Sequence, residues 1–469
     1  MSDTSMNDPA TRQLLESTAR LAADYREALG ERPVRALLSP AELQRELGGA
    51  LGDAGESAAA VIATLARAGA RGTVATAGPR YFGFVVGGST PAAVAADWLV
   101  SAWDQNAGLQ ALSPLVSAIE EISAAWLREL AGLPASMSVG FVTGCQMASF
   151  TALAAARHRV LRNAGWDVEA AGLFGAPPVD VLIGEEAHYT ILMALRLLGV
   201  GGARLRRVPT DRQGRMRADA LGAALAAGSG PCIVCAQAGN VNSGAFDPLE
   251  EIARLTHERG GWLHVDGAFG LWAAAAPARA HLVRGIEQAD SIATDAHKWL
   301  NVPYDCGIVF CADEGAHRGA MSLAAPSQAA PYLATSTRLR DPHEFVPEES
   351  RRARAVPVYA ALRALGRAGL AELIERNCRQ AQRFAAGLAA AGHEVLNEVV
   401  LNQVVVSFGE AQRTRDIVTA LQEDGTCWCG TTVWQGRTAM RISVSSWATS
   451  DADVERSLAA MLRLARASS

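Results

Sequence analysis

The chain has 469 residues, of which 49% are hydrophobic and 19% are charged, so it can bury a large core and is not a disordered protein. Its formal net charge of −5 and pI near 6.0 exclude the basic surface that a general nucleic-acid binder needs. The first residues are polar and the Ala-rich apolar runs are short, so neither a secretory signal nor a membrane span is expected. These features predict a cytoplasmic protein.

The eight cysteines do not form a disulfide framework in a chain of this length. Two close pairs stand out, Cys232 with Cys235 and Cys427 with Cys429. A zinc site needs four well-spaced ligands, and a redox pair needs an exposed position at a helix start. The first pair lies instead in an apolar run typical of a buried strand. We therefore predict structural roles for both pairs and no metal site.

Helical patterns fill about the first seventy residues, with Ser39-Pro40 as a helix start signal. A turn-rich aromatic stretch follows over about 75–115, and a long helix then ends at 132–134. From about 138 to 312, short apolar runs alternate with helical patterns. That alternation is typical of an α/β fold, with a mostly parallel central sheet covered by helices on both faces.

A loop is predicted over 313–350, and the remainder contains two long helices, two strand-like runs and a final helix that begins at Asp451. This arrangement indicates a smaller C-terminal α+β domain. The predicted division is an N-terminal helical segment at 1–75, a large α/β domain at 76–335 and the small domain at 336–469.

Asp266 directly follows an apolar strand in WLHVDGAFG, where an unpaired carboxylate is costly. Facing a protonated pyridine nitrogen, it would keep that nitrogen positive, and the small Gly267 and Ala268 would let a flat ring approach. The alternative is a helix N-cap.

Lys298 follows the next strand, in SIATDAHKWLNVPYDCG, and it is the only lysine in the sequence. Partial desolvation there would lower its pKa, as an imine-forming amine requires. The alternative is a surface lysine whose stem lies along apolar residues. Because every other basic side chain is arginine or histidine, the lone lysine points to a need for an amine at this position.

Two further strand ends complete the set. In FVTGCQMASF, the backbone amides of Gly144, Cys145 and Gln146 open a helix and form a potential anion site, although an ordinary strand–helix turn has the same pattern. In IGEEAHYTILMAL, His188 could stack on a cofactor ring or simply start a helix. All these positions would meet at the carboxyl edge of the sheet, where α/β proteins bind ligands.

With the phosphate turn, histidine, aspartate and lysine in this order, the sequence resembles the group II pyridoxal-dependent decarboxylases, which include aromatic-amino-acid, glutamate and tyrosine decarboxylases. The similarity runs from about Arg80 to about Leu370, continues more weakly to the end, and is strongest in HVDGAFG and DAHKWLNVPYDCG. It implies the fold-type I fold, pyridoxal 5′-phosphate (PLP) as cofactor, and a homodimer with shared active sites that the early helices and the aromatic stretch reach.

Residue by residue, the resemblance implies that Lys298 forms the Schiff base, Asp266 pairs with the pyridine nitrogen and His188 stacks on the ring. The remaining cofactor contacts that it implies are Ala268 on the opposite face, Gly144, Cys145 and Gln146 near the phosphate, Asn240 near the phenolic oxygen, and His297 beside the lysine. Asn240 stands where relatives have threonine.

One departure concerns the tyrosine that protonates the substrate carbon after CO₂ leaves in many relatives. An ungapped alignment places Pro342 at that position. The adjacent His343 is one candidate proton donor, and Tyr332 is another if the loop contains a gap. Because loss of this tyrosine is associated with aldehyde formation in the family, the outcome stays open.

The expected substrate is an L-amino acid, with an aromatic side chain as one option. Arg441 resembles the strand arginine that binds a substrate carboxylate, and Trp103, Tyr81 and Phe82 would line a pocket unless they serve core packing. The leading prediction is decarboxylation to an amine. The alternatives are an aldehyde synthase, an aminotransferase, a carbon–carbon lyase, or a non-catalytic protein of the same fold.

Overall fold

A computed structural model describes residues 9–322 and 340–467, which form two sheets with helices packed around them. The helices are α1 (Pro9–Glu27), α2 (Pro40–Leu47), α3 (Ala58–Gly72), α4 (Pro91–Trp103), α5 (Pro114–Leu130), α6 (Cys145–Asn163), α7 (Val168–Ala171), α8 (Tyr189–Leu197), α9 (Ala218–Ala226), α10 (Leu249–Glu258), α11 (Glu314–Met321), α12 (Ala355–Ala390), α13 (Ala411–Asp424) and α14 (Asp451–Ala467). The strands are β1 (Ser138–Val142), β2 (Asp180–Gly184), β3 (Leu205–Val208), β4 (Cys232–Gln237), β5 (Trp262–Asp266), β6 (Ser291–Asp295), β7 (Gly307–Cys311), β8 (Glu394–Val395), β9 (Gln403–Ser407), β10 (Gly430–Trp434) and β11 (Arg437–Ser443).

The central sheet has the strand order β1-β7-β6-β5-β4-β2-β3 and is parallel except for β7. Strands β1, β4, β5, β6 and β7 are buried along their whole length, which explains their continuous apolar sequences. Gln237 lies opposite Asp266, and Gly307 lies opposite both Asp295 and Val142. The ends of β1, β5 and β6 therefore meet at one edge, and the predicted α/β fold with its mostly parallel sheet is confirmed.

The helix α2 begins where its sequence predicts. Ser39 caps it: the Ser39 hydroxyl accepts a hydrogen bond from the Glu42 amide, and the Glu42 carboxylate accepts one from the Ser39 amide at 2.8 Å. Such a reciprocal cap contributes about 1 kcal/mol to helix stability. The Ser39-Pro40 start signal is confirmed.

The second sheet is antiparallel, in the order β10-β11-β9-β8, and it encloses a separate apolar core with α12, α13 and α14. Residues 80–82 also pack here, because Tyr81 forms a bridge with Trp428 and Phe82 enters the core. We propose the three-part division predicted from the sequence, with residues 80–82 packed on the small sheet.

One detail of the prediction was wrong. The expected loop over 313–350 contains α11, which Asp313 caps by accepting a hydrogen bond from the Ala316 amide at 2.9 Å. Two glycines in this short helix obscure its periodicity. The two long helices expected in this region are present: α12 consists of two helical parts separated by a kink at Gly366, whose φ of 62° interrupts the helical geometry.

Among the described helices, none has both the length and the apolarity needed to cross a membrane. In the same residues, no group of three or more histidine, cysteine or acidic side chains is arranged to hold a metal ion.

Candidate active site

The carboxyl edge of the central sheet brings together the side chains that the sequence placed at separate strand ends. Asp266 closes β5, and Asp295 closes the adjacent β6. Thr143 and Gly144 form the turn that follows β1, and Cys145 is the first residue of α6. The Cys145 amide meets Asp295 at this edge, so the ends of three strands contribute to one site.

Lys298 lies three residues beyond β6, and its Nζ is 2.8 Å from Asp295 Oδ2. Burial lowers the pKa of Lys298, but the Asp295 carboxylate more than offsets this effect, so the pKa is raised overall. The expected lowering of the lysine pKa is therefore wrong in this structure, because the sequence analysis did not consider the aspartate. Lys298 is held as an ammonium group.

Asp295 is a residue of this edge that the sequence did not lead us to predict. It is 2% exposed, and besides Lys298 it contacts the Cys145 amide, which donates to Oδ1 at 2.6 Å, and His297 Nε2, which lies 3.3 Å from Oδ1. The sequence contains an indication of it. Asp295 ends a buried strand, as Asp266 does, and an unpaired carboxylate at such a position is costly.

His297 lies beside the lysine, as predicted, and its hydrogen bonds define its tautomer. The Cys306 amide donates to Nδ1 at 3.1 Å, so the proton of the neutral ring is on Nε2, facing Asp295. Burial lowers the pKa of His297, with partial compensation from Asp295. The ring also stacks on Tyr304, with 4.3 Å between centroids.

Asp266 is 5% exposed and uses one carboxylate oxygen for the protein. Its Oδ1 accepts hydrogen bonds from the Ala268 amide at 3.1 Å and the Cys145 thiol at 3.5 Å. Its Oδ2 has no hydrogen-bond partner within residues 9–322 and 340–467. One oxygen of this carboxylate thus stabilises the local turn. The other, Oδ2, can accept a hydrogen bond from a ring N–H.

Cys145 is a hydrogen-bond donor rather than a thiolate. Burial raises the pKa of its thiol well above the usual value, and the negative charges of Asp266 and Asp295 add to this shift. The thiol therefore helps to hold the Asp266 carboxylate in position.

His188 occupies the N-cap position of α8, with Nδ1 2.8 Å from the Thr190 hydroxyl. Burial lowers the pKa of His188, so the ring is neutral at pH 7. The charge of Asp266 raises this pKa and those of Lys298 and Arg441 lower it, so the ring lies within electrostatic reach of all three groups.

Arg441 extends from β11 of the small sheet, and burial lowers its pKa. In the described part of the chain its guanidinium has neither a hydrogen bond nor an ion pair. A partly buried arginine without a partner has its planar donors available for a carboxylate or phosphate.

Close backbone packing supports the fit of a flat, phosphorylated cofactor at this edge. A Cβ added to Gly307 would lie 2.3 Å from the Gly144 carbonyl carbon, and one added to Gly144 would lie 3.2 Å from His297 Cε1. A side chain at Gly307 would therefore collide with the turn that precedes α6, and one at Gly144 would crowd His297 and Asp295. The ammonium, the open Asp266 oxygen and the remaining amides at the start of α6 match the aldehyde, ring nitrogen and phosphate of PLP. The Cys145 amide, which was predicted to lie near the phosphate, is bonded instead to Asp295.

The pyridoxal-dependent decarboxylase conserved domain matches residues 40–409. The chain belongs to this family. An aromatic-L-amino-acid decarboxylase of Bacillus atrophaeus is 31% identical over 67% of this chain and 64% of its own length, and a 4-hydroxyphenylacetaldehyde synthase of Rhodiola rosea is 26% identical over 80% and 78%. The fold matches that of Oryza sativa TDC, solved with PLP and tryptamine, at a TM-score of 0.91 and 24% identity over 98% of this chain and 99% of the other.

The family assignment confirms PLP as the cofactor and an amino-acid carboxy-lyase as the enzyme class. The resemblance seen in the sequence is confirmed as well, and the matched region begins before Arg80, where the similarity was expected to start.

Asn240 is bound within the loop that follows β4. Its Oδ1 accepts hydrogen bonds from the amides of Asn242 at 2.9 Å and Ser243 at 3.2 Å, while its Nδ2 donates to Gln237 Oε1 at 3.2 Å. The loop geometry thus depends on Asn240, and its contact with the phenolic oxygen of the cofactor stays a prediction.

The aromatic candidates occupy different environments. Phe82 is 1% exposed and packs edge-to-face on Phe384 at 5.1 Å, which is the core-packing alternative. Tyr81 stacks on Trp428 at 5.1 Å, whereas Trp103 at the end of α4 is 39% exposed. Contacts of Tyr81 and Trp103 with a substrate stay predictions.

His343 lies in a short 3-10 helix that begins at Pro342. Its Nδ1 is 3.2 Å from Glu349 Oε2, and its buried Nε2 has no hydrogen-bond partner in the described residues. Its role as a proton donor stays a prediction. The alternative donor Tyr332 lies outside the described residues.

Proposed function

We propose that this enzyme removes the α-carboxylate of an L-amino acid as CO₂, with Lys298 forming the Schiff base to PLP. The observation that carries the proposal is the position of the only lysine: its Nζ contacts the buried Asp295 at the sheet edge where Asp266 keeps one oxygen open. PLP supplies an electron sink for the bond that breaks.

The side chains divide the remaining tasks. Asp266 Oδ2 would hold the proton on the ring nitrogen, and the neutral His188 would offer a flat face for stacking. Arg441 binds a carboxylate of the substrate through its free guanidinium. His297 keeps Asp295 oriented through its Nε2 proton.

We also propose a homodimer in which the partner subunit completes the site. Large apolar side chains are exposed on α4 and α5, as expected for a surface that a second copy covers: Trp98, Leu99, Trp103, Leu115 and Ile122. The cytoplasm is the proposed location, because none of the eight cysteines is in a disulfide and a reducing compartment keeps thiols free.

The test is a product assay on the PLP-loaded enzyme with a panel of L-amino acids, beginning with aromatic ones because Tyr81, Phe84 and Trp428 stack together. One CO₂ and one amine per substrate consumed support the proposal. A keto acid would indicate an aminotransferase, and cleavage of the side chain a carbon–carbon lyase. No turnover with any amino acid, or failure to take up PLP, would favour the non-catalytic alternative.

An aldehyde synthase is the second candidate, favoured by Pro342 at the position aligned with the relatives' tyrosine. It converts the amino acid, O₂ and water into an aldehyde, CO₂, ammonia and hydrogen peroxide, so aldehyde and peroxide would replace the amine in the same assay while CO₂ is still released. The variant Pro342→Tyr tests the assignment: if the missing tyrosine determines the outcome, this change increases the amine fraction.

A further inference from the structure

Asn301, three residues after Lys298, joins three parts of the molecule through one buried side chain. It is fully buried and has a φ of 57°, in the left-handed region that asparagine tolerates better than most residues. The backbone therefore turns sharply directly behind the lysine.

The carboxamide of Asn301 connects this backbone turn to the segment that follows β11. Its Nδ2 lies 2.8 Å from the Trp299 carbonyl and 3.0 Å from the Ser445 carbonyl, and its Oδ1 accepts a hydrogen bond from the Trp447 amide at 2.7 Å. Carbonyl oxygens on one side and an N–H group on the other fix the orientation of the amide.

The backbone of the same residue holds the N-terminal aromatic stretch. The Thr90 amide donates to the Asn301 carbonyl at 2.9 Å. Gly87 lies so close that an added Cβ would be 2.0 Å from the Lys298 carbonyl oxygen and 2.6 Å from Asn301 Nδ2. The backbone turn at 298–301, called the lysine turn below, thus packs against the segment after β11 on one side and against residues 87–90 on the other.

Ser445 follows two residues after the end of β11, the strand that carries Arg441. The Asn301 clasp, meaning its four carboxamide bonds to Lys298, Trp299, Ser445 and Trp447, therefore links the turn that carries the cofactor lysine to the strand that carries the free guanidinium. We propose that Asn301 is a positioning residue that sets the distance between Lys298 and Arg441, and so determines how well the substrate carboxylate is held. This inference rests on the proposed function.

Asn402 provides a matched control. It is also fully buried, and its Nδ2 donates to the Val444 carbonyl at 2.9 Å and the Ser445 hydroxyl at 3.2 Å. It therefore holds the same segment through a carboxamide, from a position next to β9, and its bonds do not involve the lysine turn. Asn402→Ala therefore measures the effect on activity and stability of loosening the segment after β11 without changing the lysine turn.

The experiment compares PLP-loaded Asn301→Gly with Asn402→Ala and the wild type. Glycine accepts the positive φ, so the backbone turn is retained while the clasp is lost. For Asn301→Gly we expect an increase in KM of about tenfold with a much smaller change in kcat, because misplaced groups weaken substrate binding. We also expect a lower visible circular dichroism per unit of cofactor absorbance. Asn402→Ala should change neither quantity.

Equal effects of the two variants on KM and on the circular dichroism would overturn the positioning role and leave the proposed function intact. If Asn301→Gly fails to fold, Asn301→Asp replaces it, because it retains the size of the side chain but removes the Nδ2 donors. A wild-type protein that takes up no PLP would instead overturn the proposed function, and this inference with it.

Discussion

Two groups of polar side chains around the central sheet differ in how completely they are bonded. The inner polar cluster consists of Ser149, Trp262, His264 and Ser291: the Trp262 indole donates to the Ser291 hydroxyl at 2.8 Å, and His264 lies between the two serines at 3.0 and 3.4 Å. At the carboxyl edge, by contrast, Asp266 Oδ2 and the Arg441 guanidinium have no partner within the described residues. The inner cluster has its hydrogen bonds satisfied by the fold, whereas the edge keeps groups open for a ligand.

The difference shows that burial of a polar group does not by itself indicate function. A buried polar group that is fully bonded stabilises one arrangement of the core, and one that lacks a partner is a cost that a ligand can offset. Changes at the edge should therefore reduce activity with little loss of stability, and changes in the inner cluster should do the reverse.

The largest effect is expected for Lys298→Ala. Without the amine, CO₂ release should fall about a thousandfold or more, while the thermal midpoint of the cofactor-free protein falls only by the amount due to the lost ion pair with Asp295. Activity assays and thermal unfolding measure the two quantities. A variant that retains substantial activity would contradict the assignment of the lysine.

Asp266→Asn should reduce kcat about a hundredfold, because a neutral amide cannot hold the proton on the ring nitrogen as the carboxylate does. The side-chain oxygen of the variant can still accept from the Ala268 amide and the Cys145 thiol, so little stability should be lost. Steady-state kinetics and unfolding by denaturant measure the two effects. An unchanged kcat would contradict the role of Asp266, and a large loss of stability would place it with the inner polar cluster.

Asp295→Asn tests the electrostatic control of the lysine. Removing the carboxylate should lower the pKa of Lys298, so more neutral amine is present at a given pH and PLP uptake becomes faster, by about tenfold for each pKa unit. Stopped-flow absorbance over a range of pH measures the shift, with uptake reaching its maximum at lower pH in the variant.

Asp290→Asn is the matched control at the opposite end of β6. Asp290 also accepts a backbone N–H, from Leu263 at 2.7 Å, and contacts a histidine, His257, at 3.0 Å, but it has no lysine. Its pH profile for PLP uptake should match that of the wild type. Equal shifts in the two variants would show that general charge, rather than the contact with Lys298, determines the profile.

The smallest effect on activity is expected in the inner polar cluster. Burial lowers the pKa of His264 to about 4, below its ordinary value of 6.5. As the pH falls from 6.5 towards 4, the unfolded chain takes up a proton that the folded chain does not, so stability is lost on acidification, by roughly 3 kcal/mol from this group. His264→Gln should lose less stability than the wild type between pH 7 and 4.5 in denaturant unfolding. Identical losses would contradict this account.

Much of the fold could be predicted from the sequence, because the buried strands are continuous apolar runs and the helix start at Ser39 has a local cap. Strand β3, with two arginines in four residues, and the short helix α11 lack such patterns and were not predicted. Their formation depends on neighbours in the fold rather than on local periodicity.

The site shows the same limit. Asp266, His188 and Lys298 could be predicted because each follows an apolar strand. The raised pKa of Lys298 could not, because it depends on the distance to Asp295. The lack of a partner for the Arg441 guanidinium within the described residues, and the Asn301 clasp, likewise depend on how the small sheet packs on the large one. No local sequence pattern predicts that packing.

The most direct test of the central claim is the absorbance spectrum of the PLP-loaded protein, followed by borohydride reduction and peptide mapping by mass spectrometry. The account predicts a visible cofactor band that reduction removes, with the cofactor then attached to the peptide that contains Lys298. Because the chain has a single lysine, one ε-amine per chain is the upper limit of labelling. A band that persists after reduction, or cofactor that is washed away without labelling Lys298, would contradict it.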